Sequence, residues 1–495
     1  MIWLLAAACA LATVPAGLRW LRVAQREHYL SPSVSRFALR WWAHGPLNLG
    51  LAALGMAGVV GSLWSVWPGF LVALAQVGPV GLGVRGTSSP LAWTARLRRL
   101  ALLSGLVAGT VYLIGAVADS PLIVVAGLAL LPVIVDLALV ALGPVETRLG
   151  AKWVERAKRK LAVVGPDVVA ITGSYGKTTT KGYLSHLLSG AMRTVATPAS
   201  FNNRMGLARS INEALTPGTD VFIAEMGSYG PGEIAEMCGW VKPKVGVIIS
   251  VGPVHLERFR TEGRVVEAKA EILDRAEIGV ICVDHPLLAG LATDRAGTMP
   301  IVEVSTGERG HVRVVGGRLL IGAEAVAAAP EGVFASNLAT AVGVCVALGL
   351  DTSSWVDRLA DLPVPAHRQT VSVGESGLTI IDDTFNSNPA GARRALEVLA
   401  AAGPGAKAVV TPGMVEMGPL QDEENAAFAA MAADVADHLI IVGGTNRASL
   451  LRGSSNRRAS VTFVGSRDQA VAWARANLVP GDVVLYENDL PDHYP

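Results

Sequence analysis

Residues 171–181 read Ile-Thr-Gly-Ser-Tyr-Gly-Lys-Thr-Thr-Thr-Lys, and the fold follows from how they are read. A β-rich run precedes them and a helical pattern follows. A loop in that position aims backbone N–H groups, and the positive end of a helix, at phosphate. Lys177 is then expected on the β- and γ-phosphates of a nucleotide and Thr178 on Mg2+. Gly173, Ser174, Gly176 and Thr179 complete the cradle. The spacing is not the general G-x-x-x-x-G-K-[ST] form, because position 171 is Ile and the first glycine is Gly173.

Outward from this loop, short β-rich runs alternate with helical ones. The runs at 168–171, 221–224, 245–251 and 279–283 predict a parallel α/β sheet. Residues 311–322 predict a hairpin around Gly316-Gly317, and 336–348 a helix with Asn337 at its start. Leu362-Pro-Val-Pro365 marks a boundary. A second alternation follows at 378–381, 407–411, 439–442, 461–464 and 483–486, predicting a Rossmann-like domain. The expected organisation is a helical domain over 1–145, a linker over 146–165, an ATP-binding domain over 166–362 and a C-terminal domain over 363–495.

The chain has 495 residues, with 51% hydrophobic and only 17% charged. Soluble domains carry about 25% charged residues, so a wholly soluble chain is excluded. Net charge is +1, which gives no case for nucleic-acid binding. The average hides two halves. Residues 1–150 hold ten arginines and no lysine against Glu27, Asp119, Asp136 and Glu146, a net of +6. Stretches 2–18, 46–66, 100–118 and 121–143 are apolar enough to cross a bilayer; 67–84, with Pro68, Pro79 and several glycines, is a weaker fifth or a re-entrant segment. Arg19, Arg22, Arg26, Arg36 and Arg40 form one cluster, and Arg85, Arg96, Arg98 and Arg99 another. The positive-inside rule puts both in the cytoplasm, which about five spans satisfy. The N-terminus is then outside, and everything after Arg148 is cytoplasmic, on a multi-pass protein of the inner membrane. Asp136 inside the last span reads as a helix-packing or misplaced-boundary residue, or as a polar contact to a lipid head group or a partner helix. The four cysteines are scattered, with no metal or disulfide spacing.

Within the sheet pattern, Glu225 ends a β run, where a carboxylate can hold a divalent ion beside phosphates. His255 ends the next run, at the edge where α/β sheets bind ligands. Lys269 lies on an amphipathic helix.

The loop resembles the shorter Gly-x-x-Gly-Lys-Thr-Thr form of the Mur ligase superfamily. Five further stretches support the resemblance, in order. They are Thr197-Pro-Ala-Ser-Phe-Asn-Asn-Arg-Met-Gly206, Glu225-Met-Gly-Ser-Tyr-Gly-Pro-Gly-Glu-Ile234, His255-Leu-Glu-Arg-Phe259, Ala268-Lys-Ala-Glu-Ile272 and Asp382-Asp-Thr-Phe-Asn-Ser-Asn-Pro389. The second and last look most like the D-alanyl-D-alanine-adding, MurF-like branch. The resemblance covers about 167–486. It implies ATP and two Mg2+ ions as cofactors, with Thr178, Glu225, His255 and a carbamoylated Lys269 around the metal. It implies that Asn337 lies near adenine, Arg368 reaches phosphate, Asp383 contacts ribose, and Asn386 and Asn388 line the same cleft. Asn202 and Asn203 match the loop facing the acyl-phosphate region, with Asn203, His255, Lys177 and Lys269 as the catalytic set.

The implied reaction is amide-bond formation on a cell-envelope precursor through an acyl phosphate. The partners are a small-molecule or lipid-linked carboxylate and an amino-acid or dipeptide amine; a protein partner is left open. Two departures stand out. Residues 1–150 replace the family's small soluble UDP-binding domain, and Tyr486-Glu-Asn-Asp-Leu-Pro-Asp492 replaces a Lys-Gly-Ser-type loop. The rival readings are a capsule polyglutamate-type ligase and a membrane P-loop ATPase driving transport. No Leu-Ser-Gly-Gly-Gln signature supports the latter.

Overall fold

The computed structural model describes residues 1–84, 90–198, 201–254, 256–363, 370–374, 376–384, 387–490 and 493–494. The chain divides into two compact units. The first comprises Met1–Leu149 with Gly443–Thr445 and Leu490–Pro495; the second comprises Gly150–Val442 and Asn446–Asp489.

The first unit is helical: α1 (Ile2–Arg26), α2 (Ser33–Trp42), α3 (Gly45–Gly61), α4 (Gly69–Ala75), α5 (Ala95–Val117), α6 (Pro121–Ala129) and the start of α7 (Leu131–Val164). Its core joins Leu5, Trp20, Val34, Phe37, Trp41, Leu97, Leu128 and Leu131. Outward faces are apolar too: Leu102, Leu106, Leu113 and Val117 of α5 are exposed. A helix that is hydrophobic all round belongs in a core or in lipid.

The expectation of five spans is corrected. Among the described residues, α1 and α5 are each long and apolar enough to cross a membrane. The count reaches four only if α2/α3, bent by 109°, and α6/α7, bent by 67°, each make one span. Residues 67–84 supply only the seven-residue α4, about 10 Å long against a hydrocarbon core of about 30 Å. Pro68, Pro79 and the glycines around them break the run. Helices α3 and α4 instead form a returning hairpin. Asn48 Nδ2 donates to Val80 O at 3.2 Å and Val80 N donates to Asn48 Oδ1 at 2.7 Å, tying its two ends together. The arms approach closely: a Cβ on Gly58 would lie 2.8 Å from Pro68 O and from Val72 Cγ2.

Polar groups in this unit terminate helices. Arg19 Nη1 donates to Gln76 O and Gly78 O at 2.9 and 2.8 Å, covering orphan carbonyls just past α4. Asp136 accepts from Val34 N at 3.2 Å, Ser35 N at 2.8 Å and Ser35 Oγ at 2.6 Å. It caps α2, a polar contact to another helix of the same unit. Arg99 holds Glu146 through two bonds of 2.6 and 2.7 Å. Arg85 lies outside the described residues.

The second unit holds two sheets. The first is built from β1 (Asp167–Thr172), α8 (Lys177–Leu188), β2 (Thr194–Ala196), α9 (Arg204–Ala214), β3 (Val221–Glu225), α10 (Glu233–Val241), β4 (Val245–Ile248), α11 (Leu256–Phe259), α12 (Glu262–Ala270), β5 (Ile278–Cys282), α13 (Pro286–Arg295), β6 (Ile301–Ser305), β7 (Val312–Val315), β8 (Arg318–Ile321), β9 (Glu324–Ala328) and α14 (Ala335–Ala347). Its order is β2-β3-β1-β4-β5-β6-β7-β8-β9, parallel through β7 and then antiparallel. Strands β1, β3 and β4 are nearly or wholly buried, as the continuous apolar runs of a two-sided parallel sheet require. The predicted hairpin is β7–β8.

The second sheet uses β10 (Thr370–Val373), β11 (Thr379–Asp383), α15 (Pro389–Ala401), β12 (Lys407–Thr411), α16 (Gln421–Val435), β13 (His438–Val442), α17 (Arg447–Ser454), β14 (Ser460–Val464), α18 (Arg467–Asn477) and β15 (Val483–Glu487). The order is β10-β11-β15-β12-β13-β14, with β10 an antiparallel edge. The five predicted strands are present. The read linker residues 146–164 are helical, within α7.

Candidate active site

The phosphate-type loop lies between the buried β1 and α8. Its backbone is stitched to the end of β4. Ser174 N donates to Ser250 O at 2.9 Å, Tyr175 N donates to Ser250 Oγ at 3.0 Å, and Ser250 Oγ donates to Tyr175 O at 2.8 Å. The Tyr175 hydroxyl donates to Val251 O at 3.1 Å; burial, then Glu262, pushes its pKa up. Gly176 sits at φ +84 in the left-handed region, where an L side chain is strained. A Cβ there would also lie 2.7 Å from Asn337 Oδ1. Asn337 therefore packs on the loop from the first turn of α14, and the residue preceding that helix, Phe334, supplies no side-chain cap.

Helix α8 begins at Lys177, whose Nζ donates to Gly173 O at 2.6 Å. Thr178 Oγ1 donates to Glu225 Oε2 at 3.1 Å. Lys181, one turn on, donates from Nζ to the same oxygen at 2.8 Å, and both side chains are nearly inaccessible. Asn202 Nδ2 donates to Glu225 Oε1 at 3.3 Å. Parallel register pairs Ile171 with Glu225, which brings this cluster to the carboxyl ends of adjacent strands. Thr179 is buried beneath the loop. Asn203 caps α9, accepting from Gly206 N at 2.9 Å.

Lys269 is buried on α12. Burial first, and then the Lys177 ammonium, hold its pKa well below the usual lysine range. The two amines therefore lie close enough to repel. Cys238, Cys282 and Cys345 are buried, with pKa values pushed up to about 12 by burial; none is a ready thiolate.

In the second sheet, register pairs Asp383 with Glu487. Burial and the Asp383 charge hold the Glu487 carboxyl well above the usual carboxylate range, and Ser387 Oγ donates to it. Asp382 is spent locally, accepting from Thr384 N at 3.2 Å and Oγ1 at 2.6 Å. Asn388 caps α15, accepting from Gly391 N at 3.0 Å. His255, Arg368 and Asn386 lie outside the described residues.

Comparison with known proteins follows the same two sheets. The Mur ligase middle domain matches residues 171–315 and the Mur ligase, glutamate ligase domain matches 367–486. The UDP-N-acetylmuramoyl-tripeptide–D-alanyl-D-alanine ligase of Mycobacterium bovis is 30% identical over 373 residues, 68% of this chain and 72% of that protein. The chain belongs to the Mur ligase family. The corresponding ligase of Bacillus subtilis is 26% identical over 352 residues, 67% of this chain and 75% of that protein. The solved MurF ligase of Thermotoga maritima, in complex with ADP, shares 26% identity at a TM-score of 0.59 over 69% of this chain and 80% of that one.

The protein is thus a MurF-like ligase of the acid–amino-acid type. Mur ligases use ATP and Mg2+, and the residues present fit both. The loop closes on a left-handed Gly176 at a helix N-terminus, as phosphate binding needs. Thr178 and Glu225 place a hydroxyl and a carboxylate together, the hard oxygen donors Mg2+ takes alongside phosphates. Among the described residues no three His, Cys, Asp or Glu side chains converge.

Two participants were missed by sequence reasoning. Lys181 closes the quoted motif and shares a helix face with Lys177 at i,i+4, a signal that was available. Ser250 carried none, because its role depends on strand adjacency.

Proposed function

We propose that this Mur ligase joins an amine to the carboxylate of a peptidoglycan-type precursor at the inner face of a membrane, through an acyl phosphate. The observation that carries the reading is the grouping of Lys177, Thr178, Lys181 and Glu225 at one sheet edge, with the buried Lys269 in electrostatic reach.

The N-terminus of α8 and Lys177 would hold the triphosphate and offset charge on the phosphoryl group in flight. Mg2+ held by Thr178 and Glu225 would add charge neutralisation there. Lys181 and Asn202 fix the Glu225 carboxylate from both oxygens. A donor carboxylate oxygen attacks the γ-phosphorus and ADP leaves. The amine nitrogen then attacks the acyl carbon, loses a proton, and phosphate departs with the former carboxylate oxygen. Burial, and then Lys177, hold the Lys269 pKa well below the usual lysine range, which favours the neutral amine that adds CO2 and supports its carbamoylation. By family resemblance His255 would join the metal, while Arg368, Asp383 and Asn386 would meet ATP from the second sheet, with Asn337 near its adenine.

The membrane reading rests on the first unit. Taking α1, α5 and the bent α6/α7 as three spans, with α3/α4 returning to the side it entered from, puts the described arginines of both clusters on one side. Catalysis then faces the cytoplasm, where a soluble nucleotide-linked or a lipid-linked donor is reachable.

The test is phosphate release by the detergent-purified chain with Mg-ATP, a muramoyl-tripeptide donor in nucleotide- and lipid-linked forms, and D-Ala-D-Ala or single amino acids. Release should require both carboxylate and amine. Steady ATP turnover without either would sink the ligase reading.

A further inference from the structure

A second concavity lies beside the site. The last turns of α7 pack on α9, where Val154, Ala157 and Leu161 share a core with Leu207, Ala208 and Ile211. Asn212 clamps the pair: its Nδ2 donates to Trp153 O at 3.0 Å, and its carbonyl accepts from Lys160 Nζ at 2.8 Å. Gly150 permits the approach, since a Cβ there would lie 2.9 Å from Met205 Sδ. Between these elements opens a cavity of about 480 Å³, within the ~300–1,000 Å³ of small-molecule sites.

Its chemistry is two-sided. Trp153, Phe201 and Met205 form apolar walls, and Asn203, Arg209 and Glu213 form a polar rim. The Arg209 guanidinium lies 5.3 Å from the Phe201 ring centroid, and its Nε donates to both Glu213 oxygens at 2.9 and 3.0 Å. That pairing leaves the rim without net charge, which disfavours a diphosphate. The rim's polarity disfavours a bare hydrocarbon chain. A saturated sugar ring, with C–H faces and a hydroxyl edge, satisfies both surfaces.

Its distance also fits. Asn202, between the lining residues Phe201 and Asn203, touches Glu225. At ~1.5 Å of rise per residue, Arg209 and Glu213 lie roughly 9–15 Å along α9 from Asn203. An extended tripeptide spans about 10 Å. A group three residues away from a carboxylate reacting near Glu225 therefore reaches the Trp153–Arg209 end.

We propose that this cavity seats the sugar ring of the carboxylate donor, with Trp153 of α7 as a stacking wall and Arg209 and Glu213 as hydroxyl partners. The proposal rests on the ligase reading above. Trp153 precedes the matched family region, which starts at residue 171, so the seat draws on a helix outside that match.

The experiment is calorimetric titration of the full chain in detergent with ADP and Mg2+. The two probes are a muramoyl tripeptide lacking nucleotide and the same tripeptide, N-acetylated, lacking the sugar. Trp153→Ala and Arg209→Ala are compared with the parent; Trp153 is 51% exposed, and ADP affinity reports that each variant is folded. The parent should bind the sugar-bearing probe at least tenfold more tightly, and both variants should reduce that ratio to within twofold of unity. Equal binding of the two probes by the parent, or an undiminished ratio in the variants, overturns the proposal while leaving the ligase reading intact. Failure of both probes to bind while ADP binds contradicts the donor reading itself, and this proposal with it.

Discussion

Glu225 receives Thr178 and Lys181 on one oxygen and Asn202 on the other, and the Glu225–Lys181 ion pair is buried. Removing one member of a buried ion pair costs about 3–5 kcal/mol. Glu225→Ala should therefore lower unfolding free energy by about that much, read by denaturant titration, and abolish turnover. Lys177 is half-buried at the start of α8, with its Nζ on the Gly173 carbonyl, and Lys177→Ala should keep the fold and lose nearly all activity. Lys269→Ala should also be inactive, and recovery with added short-chain carboxylic acids would support the carbamate; full activity without them would rule it out. Glu487 gives a pH prediction. Its folded pKa lies well above the ordinary 4.5. From pH 4.5 up to the folded value, the native chain holds a proton that the unfolded chain has released. Stability therefore falls as pH rises through that window. Glu487→Gln should flatten the decline, seen as a shallower slope of Tm against pH. The placement of Lys177, Thr178 and Glu225 at one sheet edge was legible because a loop sequence and a strand end are local signals. The capping by Asn203, Asn388 and Asp136 was not, since a side chain's partner depends on what packs opposite it.

Strands with long apolar runs, such as β1, β3, β4, β12 and β15, were readable from composition alone. Strand β2 has three residues and β9 reads Glu-Ala-Val-Ala-Ala, with no β-branched pattern to separate it from a loop. Strand β10 is an edge that pairs with β11 alone among the described residues. Hydropathy, which records length and not direction, left 67–84 open between a fifth span and a re-entrant segment; the Asn48–Val80 bonds show that the chain returns. That geometry is testable by labelling. All four native cysteines are buried, so introduced ones report cleanly. In spheroplasts, Asp119→Cys should react with an impermeant maleimide from outside, and Ala43→Cys and Ala92→Cys only after lysis. Ala43 and Ala92 reacting from opposite sides would replace the hairpin by a span.

At the scale of the molecule, a Mur ligase pair of sheets follows an apolar helical unit within one chain. The six-motif order made the sheets legible, and the charge split between the halves made the helical unit legible. What composition could not supply was the number of spans, or that α7 runs unbroken from Leu131 to Val164 across the expected linker. The central claim is that ATP activates the donor by phosphorylating its carboxylate. The measurement is turnover with a donor whose reacting carboxylate carries ¹⁸O, followed by mass analysis of the released phosphate and the amide. The account predicts one labelled oxygen in each phosphate, formed one for one with amide. Unlabelled phosphate, or phosphate without amide, would contradict it.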